Sequence, residues 1–274
     1  MLSMHVFAQG TQFAASPPDK NLQGEVKTVR SPDHRVAMLE LYTSEGCSSC
    51  PPADKFLSEL KGMAVHQERK KIGDKGISDQ QLVPMAFHVT YWDYIGWKDR
   101  FANRQFDQRQ RSLADKNKKT SVYTPQFVFS GEDYRRYTSL RVDINQLLDQ
   151  KASVDLELTV QLLSQRQHAD ELRINLITNL SDNKSSEVGY YLAVLENNLS
   201  SKVSDGENEG QQLHHDYVVR QLLGPYFHDK AGSQSEIERI IALPPEWKRQ
   251  DLSVVAFAEN SLTGEILQAV SLVF

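Results

Sequence analysis

The segment CSSCPP at residues 47–52 restricts the local fold more than any other feature of this sequence. The short, mostly apolar run at residues 36–43 is typical of a buried strand, and residues 44–46 indicate a turn. After the turn the apolar residues follow helical spacing. Two adjacent prolines are tolerated in a helix only in its first turn, where no N–H partner is lost. The sequence therefore predicts both cysteines at the N-terminus of a helix that follows a strand.

Cys47 and Cys50 are the only two cysteines of the chain, and their spacing lets them close a small disulfide ring. The N-terminus of a helix stabilises a thiolate, which is the form that attacks disulfides. We therefore predict a redox couple with Cys47 as nucleophile and Cys50 as resolving thiol. The predicted substrates are protein or small-molecule thiols and disulfides, and no cofactor is needed. A purely structural disulfide and a zinc or copper site, with further ligands from elsewhere, are the alternatives.

Thr124 and Pro125 come directly before the predicted strand at residues 126–130, which a hairpin and an amphipathic helix at 140–151 follow. Thioredoxin folds place a cis proline facing the disulfide at this point of the element order. We therefore predict a cis Thr124–Pro125 bond, the alternative being an ordinary proline at the start of a strand. Pro125 and the backbone of Thr124 are predicted to present an extended substrate to the cysteines.

The loop after the second predicted strand (residues 82–89) supplies candidates for substrate binding. Loops at the carboxyl ends of strands line the sites of α/β sheets. The candidates are Tyr91, Trp92, Asp93 and Trp97. The alternative is that the two tryptophans cap the core. On the helix that follows, Arg109 and Arg111 are predicted to lie on a solvated face.

Glu40 lies on the first predicted strand, seven residues before Cys47. A buried carboxyl has a raised pKa and can act as a base toward the resolving thiol Cys50. The sequence equally allows an exposed glutamate at this position. His88 and Asp93 are further candidates for proton transfer.

The histidines of the second half have three interpretations. His214 and His215 are adjacent in the sequence, and in an extended segment adjacent side chains point to opposite faces, so they make a poor joint chelate. We expect one of them at the contact between the two halves of the chain. The alternatives are a metal ligand acting with Asp216 or His228, and a hydrogen bond that fixes a loop.

The hydrophobic period changes after residue 152, from mixed strand and helix patterns to strict alternation. Roughly seven alternating runs with turns between them predict an antiparallel sandwich. The predicted strands are residues 154–162, 172–180, 189–196, 217–223, 235–243, 252–259 and 265–273. The predicted fold class is an α/β thioredoxin-like domain followed by an all-β antiparallel sandwich-like domain. We predict that residues 1–34 form a flexible lead-in, that residues 35–152 form the first domain and that residues 153–274 form the second.

Several segments resemble a family of uncharacterised, often exported bacterial proteins with a thioredoxin-like domain, the domain of unknown function 1223. They are VAMLELYTSEGCSSCPPADKFLSEL, AFHVTYWDYIGWKDRFANRQFDQRQR, VYTPQFVFSG and GENEGQQLHHDYVVRQLLGP. The resemblance spans most of residues 36–270 and implies the fold and the position of the redox site, but little about the substrate. It also implies a periplasmic or secreted location. Met1–Ala15 lacks the basic start and unbroken apolar centre of a secretory signal, so a cytoplasmic location is the alternative.

Composition excludes some classes of partner. The net charge is -5, with 39% apolar and 24% charged residues, and nucleic-acid binding needs a clustered basic surface that this chain lacks. No run approaches the ~20 apolar residues of a membrane span, so no integral membrane segment is predicted. Besides redox and metal-handling functions, a non-catalytic interaction protein built on the same scaffold is the third functional class.

Overall fold

The computed structural model describes residues 24–65, 77–136, 139–164, 169–180, 187–228 and 234–273. The candidate signal segment Met1–Ala15 lies outside these residues. Fourteen strands and three α-helices are present in the described part of the chain. In order they are β1 (Val26–Arg30), β2 (Ala37–Thr43), α1 (Pro51–Val65), β3 (Leu82–His88), α2 (Arg104–Lys116), β4 (Gln126–Phe129), β5 (Glu132–Tyr134), α3 (Leu140–Leu148), β6 (Val154–Leu163), β7 (Glu171–Leu180), β8 (Val188–Glu196), β9 (Leu199–Lys202), β10 (Gln212–His215), β11 (Val218–Tyr226), β12 (Ser235–Ala242), β13 (Leu252–Asn260) and β14 (Ile266–Val273).

The largest sheet has eight strands in the order β14-β13-β8-β11-β3-β2-β4-β5. β2 pairs in parallel with β3, and β3 pairs in parallel with β11 through Ala86 and Val218. The other neighbours in this sheet are antiparallel. Strands from both halves of the sequence are therefore hydrogen-bonded into one sheet.

This sheet overturns the predicted fold class. An α/β thioredoxin-like N-terminal domain followed by an all-β domain is wrong, because the described chain has far more strand than helix and the sheet that holds β2 to β5 continues into the second half. The periodicity of the sequence located the individual elements. It carried no information on the pairing of Ala86 with Val218, which are far apart in the chain. The division of the chain at residues 34 and 152 stays a prediction, and residues 26–30 of the expected lead-in form β1.

A second sheet of four antiparallel strands, β1-β6-β7-β12, packs against one face of β8, β13 and β14. Alternate residues of β6 and β7 point into this interface, as the alternation in the sequence predicted. The buried contributors from these two strands are Val154, Leu156, Leu158, Val160, Leu172, Ile174 and Leu176. The sandwich-like packing predicted for the second half is therefore confirmed.

The eight-stranded sheet curls. Its edge strand β14 therefore comes back to β2, the strand that leads to the cysteines. The backbone N–H of Ile266 in β14 donates to the carbonyl of Ser130 (3.1 Å). Gln268 accepts a hydrogen bond from the N–H of Val36 (2.9 Å), just before β2. α2 contributes Phe106 and Leu113 to the core on this side of the sheet.

The position of α2 corrects one prediction. Arg109 was expected on a solvated face, but α2 lies against the curled sheet and the side chain is buried. Arg111, two positions later on the same helix, is exposed as expected. None of the helices in the described ranges has the length and apolar character needed to cross a membrane.

Replacing Gly131 with alanine is expected to destabilise the fold by about 2–4 kcal/mol. Gly131 has φ +100°, and an added Cβ would lie 2.1 Å from the carbonyl oxygen of Gly264, in the turn between β13 and β14. Gly210→Ala is the matched control: it has φ +81° but nothing within 4 Å of its added Cβ. The control is expected to lose only about 1 kcal/mol from backbone strain. Urea unfolding measures both, and equal losses would contradict a close contact between the two turns.

Candidate functional site

The loop between β2 and α1 carries both cysteines. Cys47 and Cys50 form a disulfide, with Cα atoms 5.4 Å apart, and α1 begins at Pro51. The carbonyl of Cys50 accepts from the N–H groups of Ala53 (2.9 Å) and Asp54 (3.1 Å), which closes the first turn of the helix. The predicted placement of the cysteines at the start of a helix is therefore confirmed. Both cysteines are buried.

The loop between β9 and β10, residues 203–211, covers the cysteine segment from the second half of the chain. Asn208 Nδ2 donates to the carbonyls of Glu45 (2.8 Å) and Cys47 (3.1 Å). Glu207 Oε2 accepts from the N–H of Ser48 (3.1 Å). Hydrogen bonding to Ser48 lowers the pKa of the Glu207 carboxyl. Residues of the second half therefore contact the cysteine segment.

Asn208→Ala is expected to speed reduction of the disulfide about 30- to 100-fold, because it removes two hydrogen bonds of about 1–1.5 kcal/mol each that hold the covering loop closed. The measurement is the rate of thiol appearance in dithiothreitol, followed by alkylation and mass spectrometry. Glu209→Ala, an exposed change in the same loop, is the control and should leave the rate unchanged. Identical rates for Asn208→Ala and wild type would show that this loop does not limit access.

Trp92 and Trp97 both reach the cysteine segment. A Cβ added to Gly46 would lie 3.1 Å from the Cβ of Trp92 and 3.3 Å from its carbonyl oxygen, so Trp92 lies directly against the glycine. Trp92 Nε1 donates to Thr124 Oγ1 (2.7 Å), and the Thr124–Pro125 bond is cis, as predicted. Trp97 Nε1 donates to Glu45 Oε2 (2.8 Å). These contacts bring Thr124 and both tryptophans to the loop that carries the cysteines.

The other two candidates from this loop are held by neighbours farther from the cysteines. The Tyr91 hydroxyl donates to Gln110 Oε1 (3.1 Å) on α2. Asp93 Oδ1 accepts from the N–H of Asp99 (3.2 Å). Burial raises the pKa of Tyr91 to about 12 and raises the pKa of Asp93. Both side chains support the shape of the loop around Trp92.

Glu40 is buried, but it belongs to another cluster. Its carboxylate accepts two hydrogen bonds from Arg109, from Nε and from the second terminal nitrogen, both at 2.8 Å. Tyr42 also donates to Glu40 Oε2 (2.8 Å). Met38 and Tyr42, on the same face of β2, pack in the core with α2, whereas Leu39 and Leu41 pack with α1. The structure therefore pairs Glu40 with Arg109 and does not place it in contact with the cysteines.

A buried cluster of acids and histidines lies beneath the cysteine loop. His215 Nε2 is 3.2 Å from Glu45 Oε1, and His215 Nδ1 is 3.8 Å from Asp54 Oδ1. Burial by itself lowers the pKa of His215, but the interactions with Asp54 and Glu45 outweigh it and raise the pKa to about 10. His215 thus lies at the contact between the halves, as predicted for one of the pair, while His214 is exposed.

His88 completes this cluster from the end of β3. Its Nδ1 is 2.6 Å from Asp99 Oδ2, and its ring centroid is 4.9 Å from that of His215. Burial raises the pKa of Asp99, but the charge and hydrogen bond of His88 outweigh burial and lower it. Asp99 Oδ2 also accepts from the N–H of Glu45 (2.9 Å).

Sequence reasoning missed the acidic members of the cluster. They are Glu45, Asp54 and Asp99. The first two flank the cysteines at two and four positions, which is the local signal that was available. Since Glu45 and His215 are 170 residues apart in the sequence, no spacing rule could have paired them. Glu207 and Asn208 were missed for the same reason.

The comparisons place this site in a family. A model of the family described as "Protein of unknown function (DUF1223)" matches residues 38–259. A crystal structure of a protein from Agrobacterium tumefaciens is 22% identical, with a TM-score of 0.55 over 89% of this chain and 96% of that one. HBP35 of Porphyromonas gingivalis is 15% identical, with a TM-score of 0.63 over 89% of this chain and 76% of that one. These two likenesses show a shared fold alone. No curated protein matches the sequence.

Proposed function

Because this chain belongs to the DUF1223 family of proteins of unknown function, its activity has to be inferred from its site, and we propose that it exchanges dithiols and disulfides through Cys47 and Cys50. One observation carries the proposal: the two cysteines form a disulfide in a loop that leads directly into the N-terminus of α1. The unpaired N–H groups and the dipole at this end of a helix favour a thiolate, which is the reactive form.

Cys47 is the proposed nucleophile. Its Sγ is 3.3 Å from Ser49 Oγ, so the hydroxyl can donate a hydrogen bond to a thiolate at this position. When the protein dithiol is oxidised, the Cys47 thiolate attacks a substrate disulfide and releases one substrate thiolate. Cys50 then attacks the sulfur of Cys47, releases the second substrate thiolate and restores the disulfide. Two electrons pass from the protein dithiol to the substrate, and the reverse sequence oxidises a substrate dithiol.

The proposed substrate surface consists of Pro125 and Thr124 with the adjoining tryptophans. Trp92 donates a hydrogen bond to Thr124 and packs on Gly46, which precedes Cys47. A substrate peptide lying along Thr124–Pro125 would therefore approach the disulfide. Tyr94, between the two tryptophans, is 81% exposed and extends this surface with an aromatic ring. An extended peptide is the form of substrate that suits a free backbone edge. Asp93 and Tyr91 shape this surface from behind.

Access to the cysteines requires a movement. Both are fully buried, and Asn208 bonds to the backbone on either side of Gly46. We therefore include opening of the loop at residues 203–211 in the proposed exchange cycle. The proposed location is the periplasm or the exterior, where a disulfide of this kind persists.

The reduction potential of the Cys47–Cys50 pair tests this function. Thiol trapping across a series of glutathione or dithiothreitol ratios measures it directly. A value between about -120 and -270 mV, the range of known exchange proteins, is expected. A value below about -300 mV would identify a structural disulfide and contradict the proposal. Failure of the reduced protein to re-form the bond would contradict it as well.

A further inference from the structure

We propose that Asp54, His88 and His215 bind one divalent transition-metal ion, for which Zn²⁺ is the probe, at a site separate from the cysteine pair. Each of the three residues offers one ligand atom, and these atoms all lie within 4.8 Å of one another. All three side chains are buried, and they come from α1, β3 and β10. Neither cysteine belongs to this group of ligand atoms.

In each histidine, one ring nitrogen pairs with a carboxylate, which orients the ring. His88 Nδ1 pairs with Asp99 (2.6 Å), and His215 Nε2 pairs with Glu45 (3.2 Å). Metal-binding histidines almost always have such a partner, which fixes the ring and directs the second nitrogen at the metal. This arrangement therefore has the outer shell of a metal site as well as its ligands.

The other ring nitrogen of each histidine is the one available to a metal ion. His88 Nε2 and His215 Nδ1 are both buried, and neither has a hydrogen-bond partner within the described residues. A buried polar atom without a partner costs about 1–3 kcal/mol, so two of them side by side need an explanation. Asp54 Oδ1, 3.8 Å from His215 Nδ1, supplies an acidic ligand at the same place. A cation bound between the three atoms would displace the proton that His215 carries at neutral pH and would satisfy both nitrogens.

The dimensions suit a small ion after a modest contraction. With bonds of about 2.0–2.1 Å in tetrahedral geometry, zinc ligands lie about 3.4 Å apart. The three atoms here must therefore move together by about 1 Å. Two imidazoles and a carboxylate leave one position open, the pattern of zinc sites that hold a water or a substrate. The carboxylates of Glu45, Asp54 and Asp99 surround the two imidazoles, so the local charge favours a dication.

Zinc titration of the full, oxidised chain against a chromophoric chelator tests the proposal. With the disulfide intact, which mass spectrometry verifies, the thiols cannot act as ligands. We expect one equivalent of tightly bound Zn²⁺, and we expect His88→Gln and His215→Gln each to weaken binding at least about 100-fold. His214→Gln, an exposed change next to His215, is the matched control and should bind like wild type. Absence of stoichiometric binding by the folded wild-type protein, or equal losses in the control, would overturn the proposal.

A second measurement covers the case in which the histidine variants do not fold. Co²⁺ added to the oxidised wild-type protein should give the visible absorption of a four-coordinate nitrogen and oxygen site, and Zn²⁺ should displace it. A spectrum of hexa-aqua Co²⁺ at one equivalent would overturn the proposal. Because the disulfide stays closed throughout, neither result bears on the proposed exchange activity, which the reduction potential of the Cys47–Cys50 pair tests separately.

Discussion

Replacing Arg109 with methionine is expected to lower the free energy of unfolding by about 3–5 kcal/mol. The guanidinium is buried and bonds to Glu40 through two nitrogens and to Glu259 through a third (2.9 Å). Burial by itself lowers the pKa of Arg109, but the charges of Glu40 and Glu259 raise it well above its usual value. Methionine fills a similar volume but leaves the buried carboxylate of Glu40 without a cation, whereas Glu259 keeps its ion pair with Lys116 (2.7 Å). Urea unfolding should show a lower midpoint with an unchanged slope.

Arg111→Met is the matched control for this prediction. It makes the same change two positions later on α2, where the side chain is exposed, and it should cost less than about 0.5 kcal/mol. Adding Glu40→Gln to Arg109→Met removes the buried charge that has lost its cation and should restore part of the stability. Equal midpoints for the two arginine variants would show that the buried ion pairs contribute no stability.

Replacing Cys47 with serine is expected to reduce disulfide exchange to the background rate, because no other thiol in this chain can start the reaction from the position of Cys47. Cys50→Ser should instead react once and stop, since the resolving thiol is missing and the mixed disulfide with the substrate accumulates. Mass spectrometry under non-reducing conditions, with an oxidised peptide as substrate, measures both outcomes.

Ser48→Ala is the control for the cysteine variants, because it changes an exposed side chain between the two and should retain exchange within about twofold. A mixed disulfide that accumulates in Cys47→Ser but not in Cys50→Ser would reverse the two roles. If neither variant changes the rate of exchange, the cysteine pair is not the redox couple.

Local patterns predicted the elements of this protein well and their assembly poorly. The prolines at residues 51 and 52 predicted where α1 begins, and alternation predicted strands close to β6, β7 and β8. These features depend on neighbours within a few residues. The parallel pairing of β3 with β11 depends on contacts between distant segments, and it is this pairing that made the predicted fold class wrong.

The site shows the same division between local and distant information. Cys47, Cys50 and the cis bond before Pro125 followed from motifs, and one of His214 and His215 was expected at the contact, without a choice between them. The sequence left Glu40 open between a buried base near the cysteines and an exposed glutamate. Its side chain points to the opposite face of β2 from α1, where Arg109 neutralises it. A strand places successive side chains on opposite faces. A shift of one position along β2 would therefore move a carboxylate to the other face of the sheet and to other neighbours.

The return of β14 to the start of β2 has a consequence for how this protein can be divided. The family-matched segment ends at residue 259, before β14 begins at Ile266. A fragment cut to those limits would lose Ala269, Val270 and Leu272 from the cores on both sides of the sheet. It would also expose the whole length of β13 as an open strand edge, which is a template for self-association. Expression of residues 38–259 alone should therefore give aggregates, and the unit to produce and to study extends through β14.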